Sequence, residues 1–194
     1  MERRLNMPPK VKFTREQIAS KAFELVRNEG IAALSARSLA ERLGTSTAPI
    51  FTAFDNIEEV KIAVKEKATE LYGVYFNEGM SGKIPFKGAG LSYIRFAKEE
   101  PQLFKLLFMY YDINETVQGY HPGDSVYSDK ALTAVCSGYG LDEKKAMWLY
   151  NHLSVYTHGL AVMFANGNSM FTMDEASKML TEVFNALTRK AEAL

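Results

Sequence analysis

The sequence predicts an all-α protein of two unequal parts: an N-terminal three-helix unit that holds a DNA-reading helix-turn-helix, and a larger C-terminal helical domain. Three observations predict it. The residues from Ser35 to Phe54, SARSLAERLGTSTAPIFTAF, read as two short helices folded about Gly44. Long segments nearer the C-terminus repeat apolar residues at three- and four-residue spacing, the period of amphipathic helices. Charge is also divided unevenly. Residues 1–54 hold nine Lys and Arg against five Glu, a balance of +4, while the whole chain is neutral, so the remainder carries −4. A small basic end on a larger acidic body suits a protein that brings one end to phosphates.

Residues 1–13 read as a flexible basic arm with Pro8-Pro9 and no apolar period. Thr14 and Gln17 then form a capping box that starts the first helix, Ile18, Ala22, Leu25 and Val26 line its buried face, and Gly30 stops it. Ser35 caps the second helix, in which Leu39 and Leu43 are apolar and small Ala40 lets another helix cross closely. Gly44 supplies a left-handed turn. Ser46 is expected to cap the third helix, with Pro49 in its first turn, Ile50 and Phe54 buried, and Thr47, Ala48, Phe51 and Thr52 facing outward. Asn56 and Glu59 cap a long fourth helix, whose face Val60, Val64, Ala68, Leu71 and Tyr75 runs for about five turns and connects the two parts. The domain boundaries are therefore set at 14–56 and 57–194.

Four glycines and Pro85 between Gly79 and Gly90 predict a hinge or loop. Leu91–Glu99 and Gln102–Tyr111 read as helices separated at Pro101, 112–124 as a long loop, and 125–138 as another helix. Leu149, Leu153, Tyr156, Leu160 and Phe164 mark one strongly periodic helix; Ala176, Leu180, Phe184, Leu187 and Ala191 mark the last. Asp174 and Glu175 place negative charge at its start.

Composition excludes several classes. At 47% hydrophobic residues the chain is ordinary for a globular protein, and no uncharged apolar run of membrane-spanning length occurs. A soluble, cytoplasmic protein with no secretory leader and no membrane partner is the expectation. Cys136, alone, reads as a core residue rather than a redox sensor. His152 and His158 lie about 120° apart around a helix, unsuited to sharing a metal. His152 is either a polar contact in a pocket or a simply satisfied histidine. No catalytic motif, metal ligand set or cofactor site is recognised, so no cofactor is expected. Aromatic residues crowd the chain after residue 70. Some are plain core; others could line an apolar cavity with a few hydroxyl or imidazole groups. The candidates for such a cavity are Tyr93, Phe96, Phe108, Tyr111, Trp148, His152 and Tyr156.

With the TREQ cap, Gly30, the Ser35–Phe54 motif and the capped NIEEV helix in succession, residues 13–62 resemble the DNA-binding domain of TetR-family transcriptional regulators. AKEEPQLFKLLF and YTHGLAVMFANG are similar, more loosely, to C-terminal domains of parts of that family. The resemblance implies a homodimer that binds double-stranded DNA and a small-molecule effector. It places Thr45, Ser46, Thr47, Ala48, Phe51 and Thr52 against the DNA and Thr14 and Arg37 against phosphates. It pairs the last two helices with a partner's, through Leu153, Leu160, Phe164, Leu180, Phe184 and Leu187. Two positions depart from the pattern: Phe51 stands where a tyrosine is usual, and Ile57 where a lysine is usual, with Lys61 one turn later as a substitute charge. The implied function is a ligand-responsive regulator, a repressor released from a palindromic operator by an apolar or aromatic effector. The alternatives are a helical ligand-binding or interaction protein with weakened or lost DNA binding and, remotely, an enzyme with dispersed catalytic residues.

Overall fold

A computed structural model describes residues 13–109 and 126–192, and no strand occurs among them. The basic arm at 1–12, the 112–124 loop and Tyr111 lie outside the described residues. Two compact units divide at Glu66 and Lys67.

In the first unit, α1 (Arg15–Glu29) begins with Thr14 Oγ1 accepting from the Gln17 amide at 3.1 Å, while Gln17 Oε1 accepts from the Thr14 amide at 2.8 Å. A 3₁₀ turn at Ile31–Ala33 leads to α2 (Ala36–Leu43), where Ser35 and Ser38 cap each other in the same reciprocal way. Gly44 ends α2 in the left-handed region, φ 64°, which only glycine enters cheaply. The third helix, α3 (Ala48–Ala53), is capped one residue later than expected. Pro49 has no N–H, so the first available donors, Ile50 and Phe51, both reach the Thr47 carbonyl at 3.1 and 3.3 Å. Thr47, not Ser46, is therefore the cap residue, and its side chain makes no capping bond.

Arg15 ties this unit together. It donates to the Ala53 carbonyl and to Glu59 Oε1, each at 2.7 Å, and its guanidinium lies 4.0 Å from the centre of the Phe54 ring. Glu59 belongs to α4 (Ile57–Met80), which starts where Asn56 Oδ1 accepts from the Glu59 amide at 2.9 Å. α4 gives its residues up to Glu66 to the first unit and those from Lys67 to the second. Its buried stripe is Val60, Val64, Ala68, Tyr72 and Phe76. Leu71 and Tyr75 are only half-buried, because an unbroken four-residue spacing winds around a helix of 3.6 residues per turn instead of following one straight face.

The second unit continues with α5 (Pro85–Glu99), α6 (Pro101–Phe108), α7 (Val126–Tyr139), α8 (Glu143–Ala165) and α9 (Met173–Glu192). Within it α8 packs on α5, α6, α7 and α9. The expected hinge from Gly79 to Gly90 is replaced by a short turn, with α5 starting six residues early at Pro85. Its glycines serve a crossing of helices: a Cβ on Gly79 would stand 2.7 Å from the Gly88 carbonyl carbon and 2.8 Å from Ser92 Oγ. A side chain at either position would hold α4 and α5 apart. Beside this crossing Arg95 pairs with Glu78 at 2.6 Å and lies over the Tyr75 ring, and the Tyr75 hydroxyl donates to Glu99 at 2.8 Å. Burial and that carboxylate push the Tyr75 hydroxyl up to about 12, so it remains a donor at neutral pH.

The apolar stripes of α8 and α9 are used inside the chain. Leu153, Leu160, Phe164 and Leu180 are buried, and half-buried Phe184 and Leu187 pack on the core of Val135, Ala146, Leu149 and Leu153. Four of the six residues expected at a partner contact are thus buried within the chain, while Phe184 and Leu187 keep part of their surface exposed. Periodicity reports which side of a helix is buried, not whether its neighbour is the same chain or another. The outward side of α8 instead carries Val155, 76% exposed, and exposed Gly159.

Candidate functional site

The first unit presents a small, uncharged face. Ser46, Thr47, Ala48, Phe51 and Thr52 are exposed around α3, with Phe51 47% exposed, and Thr45 is half-buried beside them. The Thr52 hydroxyl donates to the Ala48 carbonyl at 2.9 Å, which turns its methyl group and oxygen lone pairs outward. No ionisable side chain lies on α3. The flanking charges are mostly neutralised within the unit. Arg37 is 90% exposed but faces Glu41 at 3.2 Å, Lys61 bonds Glu58 at 2.7 Å, and Lys21 bonds Glu24 at 2.6 Å. Arg42 bonds Glu29. Residues 13–66 hold seven Lys and Arg against eight Asp and Glu, so the positive balance of the N-terminal end comes from residues 1–12. Thr14 is exposed, with its hydroxyl oxygen occupied by the cap.

The second unit contains a cavity of about 340 Å3, near the lower end of the roughly 300–1,000 Å3 range of small-molecule sites. α4 contributes Tyr72 and Phe76; α5 contributes Phe86, Lys87, Ala89, Gly90 and Tyr93. Tyr127 and Tyr139 come from α7, Leu153, Thr157 and His158 from α8, and Leu180, Thr181 and Phe184 from α9. Tyr72 organises the aromatic wall, meeting Tyr93, Phe108 and Tyr127 edge-on at centroid distances of 6.1, 5.1 and 5.1 Å. Polar groups punctuate it: the tyrosine hydroxyls, Ser154, Thr157, His158, Thr181 and Asn185. The Tyr93 hydroxyl and His158 Nδ1 are hydrogen-bonded at 2.8 Å, and the imidazole stacks near Phe104.

Of the residues predicted for this cavity, Tyr93 lines it. Phe96 is fully buried behind it and Phe108 packs against Tyr72 and Tyr93, so both support the wall without forming it. Trp148, His152 and Tyr156 are not on the wall. His152 is exposed, its Nδ1 bonded to the Trp148 carbonyl at 2.8 Å and its ring beside that indole. The histidine of the cavity is His158. Its position was available from phase: α8 faces the cavity with Leu153, Ser154, Thr157 and His158, one side of a helix, and His152 falls on another. Leu153, Leu180 and Phe184, assigned from the sequence to an interface, are wall residues.

Burial holds the His158 imidazole below its usual value. Between that lowered value and about pH 6.5 the unfolded chain binds more protons than the folded one, so stability is full above this window and declines as pH falls through it. The thermal unfolding midpoint should drop from about pH 7.5 to about pH 5 more steeply in wild type than in His158→Gln, which keeps a partner for Tyr93 without the titration. Parallel curves would remove His158 from the acid response.

Among the described residues, no group of three or more His, Cys, Asp and Glu could hold a metal ion, and no helix is long and apolar enough to cross a membrane. No protein-family model matches the sequence, and no curated protein matches it significantly. Solved structures share its fold. A single-residue variant of TetR from Acinetobacter baumannii AYE, in complex with minocycline, is 19% identical and superposes with a TM-score of 0.60 over 93% of this chain and 99% of its own. A protein described as a TetR-family transcriptional regulator from Mesorhizobium loti is 13% identical, with a TM-score of 0.52 over 89% of this chain and 94% of that one.

Proposed function

From a chain with the fold of TetR-type regulators, we propose a homodimeric, ligand-responsive DNA-binding transcriptional regulator, a repressor that leaves a palindromic operator when an apolar or aromatic effector fills the cavity. The observation that carries this reading is the pairing, in one chain, of an exposed helix-turn-helix face with an aromatic-lined cavity. α3 would enter the major groove, with Thr47, Ala48, Phe51 and Thr52 meeting base edges and thymine methyl groups. Thr14, Arg37 and Lys61 would meet phosphates, in competition with the carboxylates that Arg37 and Lys61 now face. Dimerisation would use α8 and α9, through the partly exposed Phe184 and Leu187 and the outward side of α8 that carries Val155. Effector occupancy would favour an arrangement of α4 that no longer suits DNA, and by linkage DNA weakens effector binding by the same factor.

A mobility-shift assay with the DNA flanking the chain's own coding region tests the reading. Specific retardation is expected, reduced about tenfold by Thr47→Ala through loss of one base contact. No binding to any fragment at low salt would defeat it. A second reading, a helical ligand-binding protein that does not read DNA, is favoured by the near balance of charge in residues 13–66 and by Phe51 and Ile57. The same assay separates the two.

A further inference from the structure

The cavity wall carries eight aromatic side chains and, among the described residues, one lysine and no carboxylate. Lys87, in the first turn of α5, is half-exposed and forms no ion pair among the described residues. A lysine in such a wall lays its aliphatic stem along apolar surface and keeps its ammonium towards water, which puts the charge at the mouth. Burial holds the His158 imidazole below its usual value and pushes the Tyr139 hydroxyl up, so at each of them it favours the uncharged form. A cation attracted to the ring faces would meet Lys87 with no wall carboxylate to offset it. An anion of the same shape would gain the ring contacts and a charge-assisted hydrogen bond.

We propose that the cavity takes a flat aromatic monoanion, its ring system among Phe86, Tyr93, Tyr139 and Phe184 and its anionic group at Lys87. This deepens the effector reading above and rests on the cavity being the ligand site. Charge then selects among ligands that shape alone admits, because ring stacking barely distinguishes an acid from its neutral analogue, whereas the lysine does.

Two fluorescent dyes that share a ring framework test it on the full chain without DNA: anilinonaphthalene sulfonate, an anion, and phenylnaphthylamine, its uncharged counterpart. Lys87→Met is expected to weaken the anionic dye about tenfold and the neutral dye less than about twofold, while Lys87→Arg keeps both near wild type. Gly90→Leu locates the dyes. A Cβ at Gly90 would stand 3.8 Å from Thr157 and from Leu180, so a longer side chain projects into the cavity and should expel both. Failure of the anionic dye to bind, no loss on Lys87→Met, or equal loss of both dyes would overturn the proposal. DNA retardation is read separately. An anionic dye that binds through Lys87 but leaves retardation unchanged would defeat the regulatory reading and leave the ligand class standing.

Discussion

Gly88→Ala is expected to lower the free energy of unfolding by about 3 kcal/mol, the opposite of what helix propensity predicts. Alanine at an unconstrained helical glycine stabilises by about 0.4–1 kcal/mol. At Gly88 the new methyl group would sit inside contact distance of the Gly79 carbonyl, a backbone atom that cannot rotate aside. α4 and α5 would have to part, and α5 carries Phe86, Lys87 and Tyr93 of the cavity. Both dyes should therefore bind more weakly as stability falls. Gly138→Ala is the control. It lies within α7, a Cβ there would meet nothing within 4 Å, and it should gain stability. Urea unfolding of the two variants reads the difference; matching gains would mean that the crossing tolerates a side chain.

The largest expected effect on DNA binding belongs to Phe51. Phe51→Glu should reduce operator affinity by about a hundredfold or more while leaving the unfolding midpoint unchanged, because the ring is 47% exposed and little packing is lost. The new carboxylate would stand on an otherwise uncharged face and repel phosphates. Phe51→Tyr should act in the other direction, by about five- to tenfold, if its hydroxyl gains a phosphate oxygen. The two gains open to this head differ in their salt signature. A tyrosine adds no charge and leaves the slope of log affinity against log salt unchanged, whereas Ile57→Lys should steepen it by about 0.9. Fluorescence anisotropy across a salt series distinguishes them, and a Phe51→Glu chain that still binds specifically would remove α3 from the interface.

The parts legible in the sequence were those whose cause is local. Thr14 with Gln17, Asn56 with Glu59, and the stops at Gly30 and Gly44 depend on a few neighbouring residues and hydrogen bonds within one turn. Where a local rule competed with a missing donor, at Pro49, the cap moved to Thr47. Other features depend on elements distant in the chain. Gly79 and Gly88 look like loop residues until two helices are brought together, since a glycine that admits a close crossing and one that permits a turn have the same side chain. Of the six apolar residues expected at a partner contact on α8 and α9, Leu153, Leu160, Phe164 and Leu180 are already buried within this chain, and half-buried Phe184 and Leu187 pack on its core. Aromatic content located the cavity only to the C-terminal half. Separating Tyr93 from Phe96, or His158 from His152, required the rotation of each helix about its axis, which amphipathic periodicity defines too coarsely when several neighbours surround it.

Arg15 has a consequence for how the reading face comes into being. Its bonds join residues 38 and 44 positions apart in the chain, at the end of α3 and the start of α4. α3 itself is six residues long, too short to hold a helical form alone in water. The shape of the α3 face is therefore a cooperative property of the whole three-helix unit: it appears when the ends of that unit close on each other and vanishes with them, instead of fraying residue by residue.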